Sequence, residues 1–431
     1  MNPLLVDLAY IAILVFGLPF AIYKTLTSRR FRAGWGERFG GVPDLPARHR
    51  IWIHCASVGE ALLARSLLAK LKTEYPNADI VFSTVTNTGR ETVQKNFPGH
   101  TVFYFPLDLS PVVRKVFRRI KPSAVVLVEL ELWTNFLTIA RRLDVPVVVV
   151  NGRITEKTVR HYRLFGALAR RQFRNVRHFA VQNEEYAARV ERIRATRDGI
   201  SVVGTMKYDT VVTEVAEDIR DELRRTLRLR PEEAVILGGC THPGEDELLI
   251  DYVKDRQASA AGLRLILAPR HRERAGAVER LIREAGLLPI RKTAIDAGTV
   301  PERFEDQPHV ILLDTTGELA RLYSVATVVF VGGSLVKHGG QNMIEPAALG
   351  RPVVFGPHTW NFRDTVELLV GSGGAVQIEG PDELPAVLDE LLGSAERRDE
   401  LGARARHLIR QSKGATERNF EAIRPFLDAT G

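Results

Sequence analysis

The stretch AVVLVELELWTNFLTIARRLDVPVVVVNGR, residues 124–153, decides the fold. Its two apolar runs, AVVLVE (124–129) and VPVVVV (145–150), carry no polar residue on alternate positions. Strands apolar on both faces belong to a parallel sheet covered by helices on each side. Working outward, similar runs recur at IWIH (51–54), DIVFST (79–84), VFYF (102–105), FAVQ (179–182) and SVVG (201–204). Amphipathic segments such as ALLARSLLAKLKTEY (61–75) supply the crossovers between them. The charged stretch EVAEDIRDELRRTLRLRPEE (214–233) interrupts the strands. A second series then follows: AVILGG (234–239), LRLILA (263–268), HVILLD (309–314), ATVVFVGG (326–333), PVVFG (352–356) and AVQI (375–378). Helical patterns without strands fill 382–427. The expectation is an α/β protein of two doubly wound sheets with a cleft between them, the usual place for a ligand in such folds. The first strand of one half ends HCASVGE (54–60) and that of the other ends GCTHPGE (239–245), as if both halves were built on one plan.

A length of 431 residues suits two or three domains. With 45% hydrophobic residues the chain is globular, which excludes wholesale disorder. Its two cysteines, Cys55 and Cys240, exclude a disulfide framework and a cysteine-built zinc site. The 60 Lys and Arg against 52 Asp and Glu leave a formal charge of +8, which favours anionic partners. The bases show little interleaving with aromatics, so nucleic acid is not an expected partner.

Residues 4–23, LLVDLAYIAILVFGLPFAIY, are apolar apart from Asp7. At ~1.5 Å per residue such a segment just spans a ~30 Å hydrocarbon core. Lys24, Arg29, Arg30, Arg32 and Arg38 follow it, while only MNP precedes it. That is the wrong order for a cleaved signal peptide. It predicts a membrane anchor with its N-terminus outside and the body in the cytoplasm. Arg29–Arg38, with Phe31 and Trp35, suits the headgroup layer.

The chemistry-bearing motifs stand where strands end. There is no GxxxxGK[ST], no GxGxxG after a strand, no HExxH and no Asp-x-Asp, and the eleven histidines do not cluster at ligand spacing. No metal or cofactor is expected. In SVGE (57–60), Gly59 permits a tight turn and Glu60 lies in the first turn of a helix, placed to act as a general base. Two carboxylates, Glu129 and Glu131, close the buried run AVVLV, where they are costly without a task or a partner. Lys207 lies in GTMKYD (204–209) at the junction of the halves. In the second half, Arg270 of APRHRER (268–274) suits a bidentate phosphate contact. DTTGEL (314–319) and GGSLVKHGGQNMIEP (332–346) end two further strands. Gly333, Ser334, Gly339 and Gly340 are phosphate-loop candidates, since glycines bring backbone amides close to an anion. Glu345, three residues after Asn342, suits ribose hydroxyls.

Taken in order, with RAGWGERFG (32–40), ELELWTN (129–135), NGRIT (151–155), QNEE (182–185) and GPHTWNF (356–362), these motifs resemble the 3-deoxy-D-manno-octulosonic acid (Kdo) transferases of lipopolysaccharide assembly, glycosyltransferase family 30. The resemblance implies a GT-B fold, two Rossmann-like domains facing a cleft behind an N-terminal anchor helix. It implies a lipid IVA-type acceptor on the first domain and CMP-Kdo on the second, at the cytoplasmic face of the inner membrane. It places the catalytic base at Glu60, with Glu131 and Lys207 at the reaction centre. It places CMP at Pro269, Arg270, Thr315, Thr316, Gly317, Glu318, Asn342, Met343, Ile344 and Glu345. The domains so expected are an anchor at 1–28, an acceptor domain at 29–212, a donor domain at 213–412 and a helix at 413–431 returning to the first domain. The chain departs from the family pattern at Thr134 and Arg272, where proline is usual, and at Gln341, where histidine is usual. A GT-B transferase of UDP-sugars and a membrane-tethered nucleotide-binding module without catalysis remain the alternatives.

Overall fold

The computed structural model describes residues 6–8, 10, 27, 34–257 and 262–428. The chain divides into two compact units, Met1–Thr210 with Lys413–Gly431, and Val211–Ser412.

Unit 1 is built on β1 (Arg50–His54), β2 (Asp79–Thr84), β3 (Thr101–Tyr104), β4 (Ala124–Val128), β5 (Val147–Gly152), β6 (His178–Val181) and β7 (Ile200–Val202). They form one sheet in the order β3-β2-β1-β4-β5-β6-β7, with every neighbouring pair parallel. The sheet is buried on both faces because successive side chains of a strand point to opposite sides. Trp52, Val125 and Leu127 pack on one face with Phe103, Phe117 and Phe136. Ile51, Ile53, Ala124, Val126 and Val128 pack on the other with Leu67 and Phe82. The last helix, Ala415–Asp428, lies on this second face through Phe420, Ile423 and Leu427. Asp209 fixes its start by accepting from the amides of Gly414 (2.7 Å) and Thr416 (2.5 Å).

Unit 2 carries β8 (Ala234–Thr241), β9 (Leu263–Pro269), β10 (Leu288–Arg291), β11 (His309–Leu312), β12 (Val328–Val331), β13 (Val353–Phe355) and β14 (Val376–Gln377). Their order is β10-β11-β9-β8-β12-β13-β14, again all parallel. The strand β10, LPIR, is absent from the sequence reading. It is short and holds Pro289, which a strand tolerates at a sheet edge, where β10 stands. In each unit the chain winds one way from its first strand and the other way from the fourth or fifth. The switch points therefore lie at the carboxyl ends of β1 and β4, and of β8 and β12.

The apolar stretch 4–23 lies outside the described residues except for 6–8 and 10. Among the described residues no helix is long and apolar enough to cross a membrane. Asp7 is buried against the body of unit 1. Its Oδ1 accepts from the Ser110 amide (2.8 Å) and from Asn135 Nδ2 (2.9 Å), and its Oδ2 from the Ser110 hydroxyl (2.5 Å). A spanning segment with its N-terminus outside would carry Asp7 to the far face of the bilayer, away from a cytoplasmic body. The bonds to Ser110 and Asn135 hold Asp7 on that body, so the N-terminus-outside orientation is corrected.

Candidate functional site

Unit 1 gathers its carboxylates at its switch point. β1 ends at His54, and Ser57 caps the helix Val58–Glu74. The Ser57 hydroxyl accepts from the Glu60 amide (3.4 Å), which caps the helix, and donates to Glu60 Oε1 (2.9 Å). The Ala56 amide donates to Glu60 Oε2 at 2.7 Å. Gly59 stands inside the first helical turn with no left-handed φ, so it is not the tight turn expected of it. Burial pushes the Glu60 carboxyl up to about 7; the Ala56 and Ser57 bonds oppose this, and the charges of Glu129 and Glu131 add to it. A base poised near neutrality accepts a proton efficiently at physiological pH.

Glu129 leaves β4 with φ 62°, a left-handed conformation uncommon for a residue with a side chain. The bend carries the chain to Glu131, whose Oε2 lies 2.8 Å from His54 Nε2. His54 is fully buried, and its Nδ1 lies 2.8 Å from Ser83 Oγ, which accepts from Trp52 Nε1 at 2.7 Å. An ionised Glu131 only accepts, so His54 donates from Nε2. Burial opposes ionisation of Glu131, but the bond and charge of His54 outweigh it and hold the carboxyl below its ordinary value. The environment thus drives the two carboxyls apart, Glu60 upward and Glu131 downward. His54 was not among the sequence candidates, although it opens the HCASVGE motif.

Lys207 belongs to the 3-10 turn Met206–Tyr208, which packs against the helix Val58–Glu74. The Met206 amide donates to Asn151 Oδ1 (3.0 Å), and the Asn151 amide donates to Asn419 Oδ1 (2.8 Å), so the turn is pinned through β5 to the last helix.

In unit 2 the proposed donor residues follow β9, β11 and β12. Pro269 closes β9, and the Arg270 amide donates to the Thr241 carbonyl at 3.0 Å. The Arg270 side chain is exposed and makes no ion pair among the described residues. Thr316 and Gly317 are exposed in the loop after β11, while the Thr315 hydroxyl donates to Glu318 Oε2. Lys292 Nζ lies 3.5 Å from the other Glu318 oxygen. Asn342 Oδ1 accepts from the Ile344 amide at 3.1 Å. Burial raises the Glu345 carboxyl, with a bond from Asn342 opposing. Met343 and Ile344 are core residues, and the Ile344 amide is already spent on Asn342.

The phosphate-loop expectation needs correcting at Gly333 and Ser334. Their amides are spent on the chain itself: Glu245 accepts from Gly333 (2.8 Å), Ser334 (3.0 Å) and Leu335 (2.9 Å), and from His242 (2.9 Å). Gly339 is a packing glycine, since a Cβ there would come within 2.5 Å of Asn361 Nδ2 and Trp360 Nε1. The Gly340 amide donates to the Gly333 carbonyl at 2.8 Å. A group of rings that sequence spacing did not expose, His242, His271 and His338, meets at the ends of β8, β9 and β12. Among the described residues no group of three His, Cys, Asp or Glu is arranged to hold a metal ion.

Residues 33–210 match the family model described as 3-deoxy-D-manno-octulosonic-acid transferase (kdotransferase). The chain is 31% identical over 409 residues to the 3-deoxy-D-manno-octulosonic acid transferase of Haemophilus influenzae, covering 94% of each chain. It is 30% identical over 434 residues to that of Chlamydophila psittaci, covering 99% of this chain and 97% of the relative. Among solved structures, a glycosyltransferase from Rickettsia africae superposes with a TM-score of 0.58 at 10% identity, covering 89% of this chain and all (100%) of the other. Anabaena Alr3699/HepE in complex with UDP-glucose gives 0.54 at 13% identity, over 88% and 99%. At such identities these structures speak to the fold alone, a two-domain α/β fold of the GT-B kind.

Proposed function

The chain belongs to the Kdo transferase family of glycosyltransferases, and from that membership we propose that it moves Kdo from CMP-Kdo to a lipid IVA-type acceptor, with Glu60 as general base. Glu60 carries the reading. It stands at the switch point of unit 1, its carboxyl is raised to about 7, and Ser57 and Ala56 fix its direction. An acceptor hydroxyl gives its proton to Glu60 while its oxygen bonds to the anomeric carbon of Kdo. The bond from that carbon to the CMP phosphate breaks, and CMP leaves with the electron pair. Attack opposite the leaving group inverts the anomeric centre.

The leaving phosphate needs charge stabilisation rather than a strong acid. Arg270 is the cation assigned to it, with Asn342 and Glu345 holding the nucleoside end and the Thr315–Gly317 loop beside them. Glu131, fixed by His54, keeps a negative charge near Glu60 and sustains its basicity. Lys207 is assigned to the acceptor's negative charge. No resident metal or cofactor is assigned a step. The body acts at the cytoplasmic face of the inner membrane, with the stretch 4–23 as its membrane contact and Asp7 kept on unit 1.

Mass spectrometry tests the reading. The full chain in detergent, given CMP-Kdo and a lipid IVA-type acceptor, is expected to add the mass of Kdo to the lipid. Transfer from UDP-sugars instead, or CMP binding without any transfer, would replace it with one of the two alternatives.

A further inference from the structure

Unit 2 carries at its own switch point a ring cluster that no step above uses. His242 follows β8, His271 follows β9 and His338 lies in the loop after β12, so three neighbouring parallel strands deliver them to one edge of the sheet. His338 stacks on His242 with centroids 4.1 Å apart and 22° between planes. His271 meets His242 edge-on, at 6.2 Å and 89°. Gln341 Nε2 lies 3.4 Å from His242 Nε2, so one of the three residues at which this chain departs from the family pattern belongs to the same cluster.

The cluster is short of negative charge. Glu245 is occupied by four backbone amides. Asp246 is occupied by Arg274 (2.6 Å) and the Thr241 hydroxyl (2.5 Å). No carboxylate pairs with any of the three rings among the described residues. Burial, and then the charges of His338, Arg274, His271 and Arg270, push His242 down to about 4. At neutral pH it is an uncharged N–H donor in positive surroundings, the condition of a site waiting for an anion.

The chemistry of the donor supplies that anion. A 2-ulosonic acid carries its carboxylate on the anomeric carbon, the same atom that bears the nucleotide phosphate. Two anionic groups separated by one carbon enter the site together. One guanidinium can fork to one of them; the other needs its own donors a few ångström away. We propose that His242, His271 and His338 form the subsite for the carboxylate of the donor sugar, beside the Arg270 phosphate contact. This deepens, and rests on, the reading of the chain as a user of CMP-Kdo. The subsite makes the enzyme selective for acidic sugars. A neutral sugar nucleotide would bring no carboxylate to these rings.

The test separates sugar from nucleotide. KM for CMP-Kdo and Ki for CMP are measured for the full chain and for His242→Ala, His271→Ala and His338→Ala. His271 and His338 are exposed, so those variants fold even where His242→Ala does not. KM for CMP-Kdo is expected to rise roughly ten- to a hundredfold, with Ki for CMP within about threefold of wild type. Equal rises in both constants would assign the rings to the phosphate and overturn the proposal, as would no change in either. A wild-type protein that ignores CMP-Kdo overturns the donor reading and this subsite with it; one that uses CMP-Kdo while all three variants match it overturns the subsite alone.

Discussion

Glu60 and Glu245 occupy equivalent places in the two sheets and have been put to opposite uses. Each follows the first strand of its unit by way of a Gly-Glu step and sits in the first turn of the next helix. Glu60 accepts from one nearby backbone amide, that of Ala56, and the Ser57 hydroxyl, and remains half-buried. Glu245 is buried and accepts from four amides, three of them on the loop after β12. One carboxylate is left available for a proton; the other is a clamp.

Glu245→Ala is therefore expected to be a folding variant. It leaves buried amide donors unpaired, at ~1–3 kcal/mol each. A loss of at least ~3 kcal/mol, read as a lowered urea midpoint for unit 2 and lost CMP binding, is the expected result. A variant with wild-type stability would show that water replaces the clamp.

His54 holds Glu131 from within the core. His54→Ala removes a bond to a charged group, worth ~1.5–3 kcal/mol, and frees Glu131 to rise toward an ordinary carboxyl. The expected outcome is a lower melting temperature and a lower kcat with CMP affinity unchanged. Retained kcat would mean that Glu131 needs no fixed direction.

The strand AVVLV shows why so much of the fold was legible. All of Ala124–Val128 is buried, and a run without polar alternation has few other homes than a covered parallel sheet. LPIR was invisible because Pro289 argues against a strand everywhere except an edge. Glu60 was legible as a carboxylate in the first turn of a helix that follows a strand, and Glu131 because a carboxylate ending an apolar strand demands a reason. The His54–Glu131 bond was not, since 77 residues separate the partners and only the β1–β4 pairing joins them. Glycines announced the loop after β12, but the occupant of its amides, Glu245, lies 88 to 90 residues away in sequence. A glycine pattern says that an anion fits and not whose it is.

Deleting residues 1–23 removes Asp7 and leaves Ser110 and Asn135 to water. The expected cost is ~1.5–3 kcal/mol, with the body still folded and active on detergent-dispersed acceptor but poorly retained on membranes in a sedimentation assay. An unfolded truncation would make the segment part of the core. Asp7→Ala in the full chain should reproduce the stability loss while keeping membrane retention.

Arg270→Ala removes a charge-assisted phosphate contact of ~1.5–3 kcal/mol, so CMP affinity should fall by roughly one to two decades. If the guanidinium rather than a metal ion carries the phosphate charge, transfer also survives EDTA. Loss of activity restored by one divalent ion, together with unchanged CMP affinity in Arg270→Ala, would move the donor contact elsewhere.

Glu60 gives the sharpest expectation. The ordinary glutamate value is 4.5, and burial with the Glu129 and Glu131 charges lifts this one to about 7. Only the ionised form takes a proton. The rate should therefore hold above pH 7 and fall as pH drops through about 7, approaching tenfold per unit below it. An unshifted glutamate would keep its rate down to about pH 5. Glu60→Gln keeps size and can still accept from Ala56 but cannot take the proton. It should cost ~10²–10⁴ in kcat with CMP affinity near wild type. The acid-side fall should vanish with it, because the group that titrates is the group removed. Should Glu60→Gln turn over at a near wild-type rate, Glu131 becomes the candidate base. The same substitution there would then abolish transfer, and the pH profile would follow a carboxyl held below its ordinary value by His54.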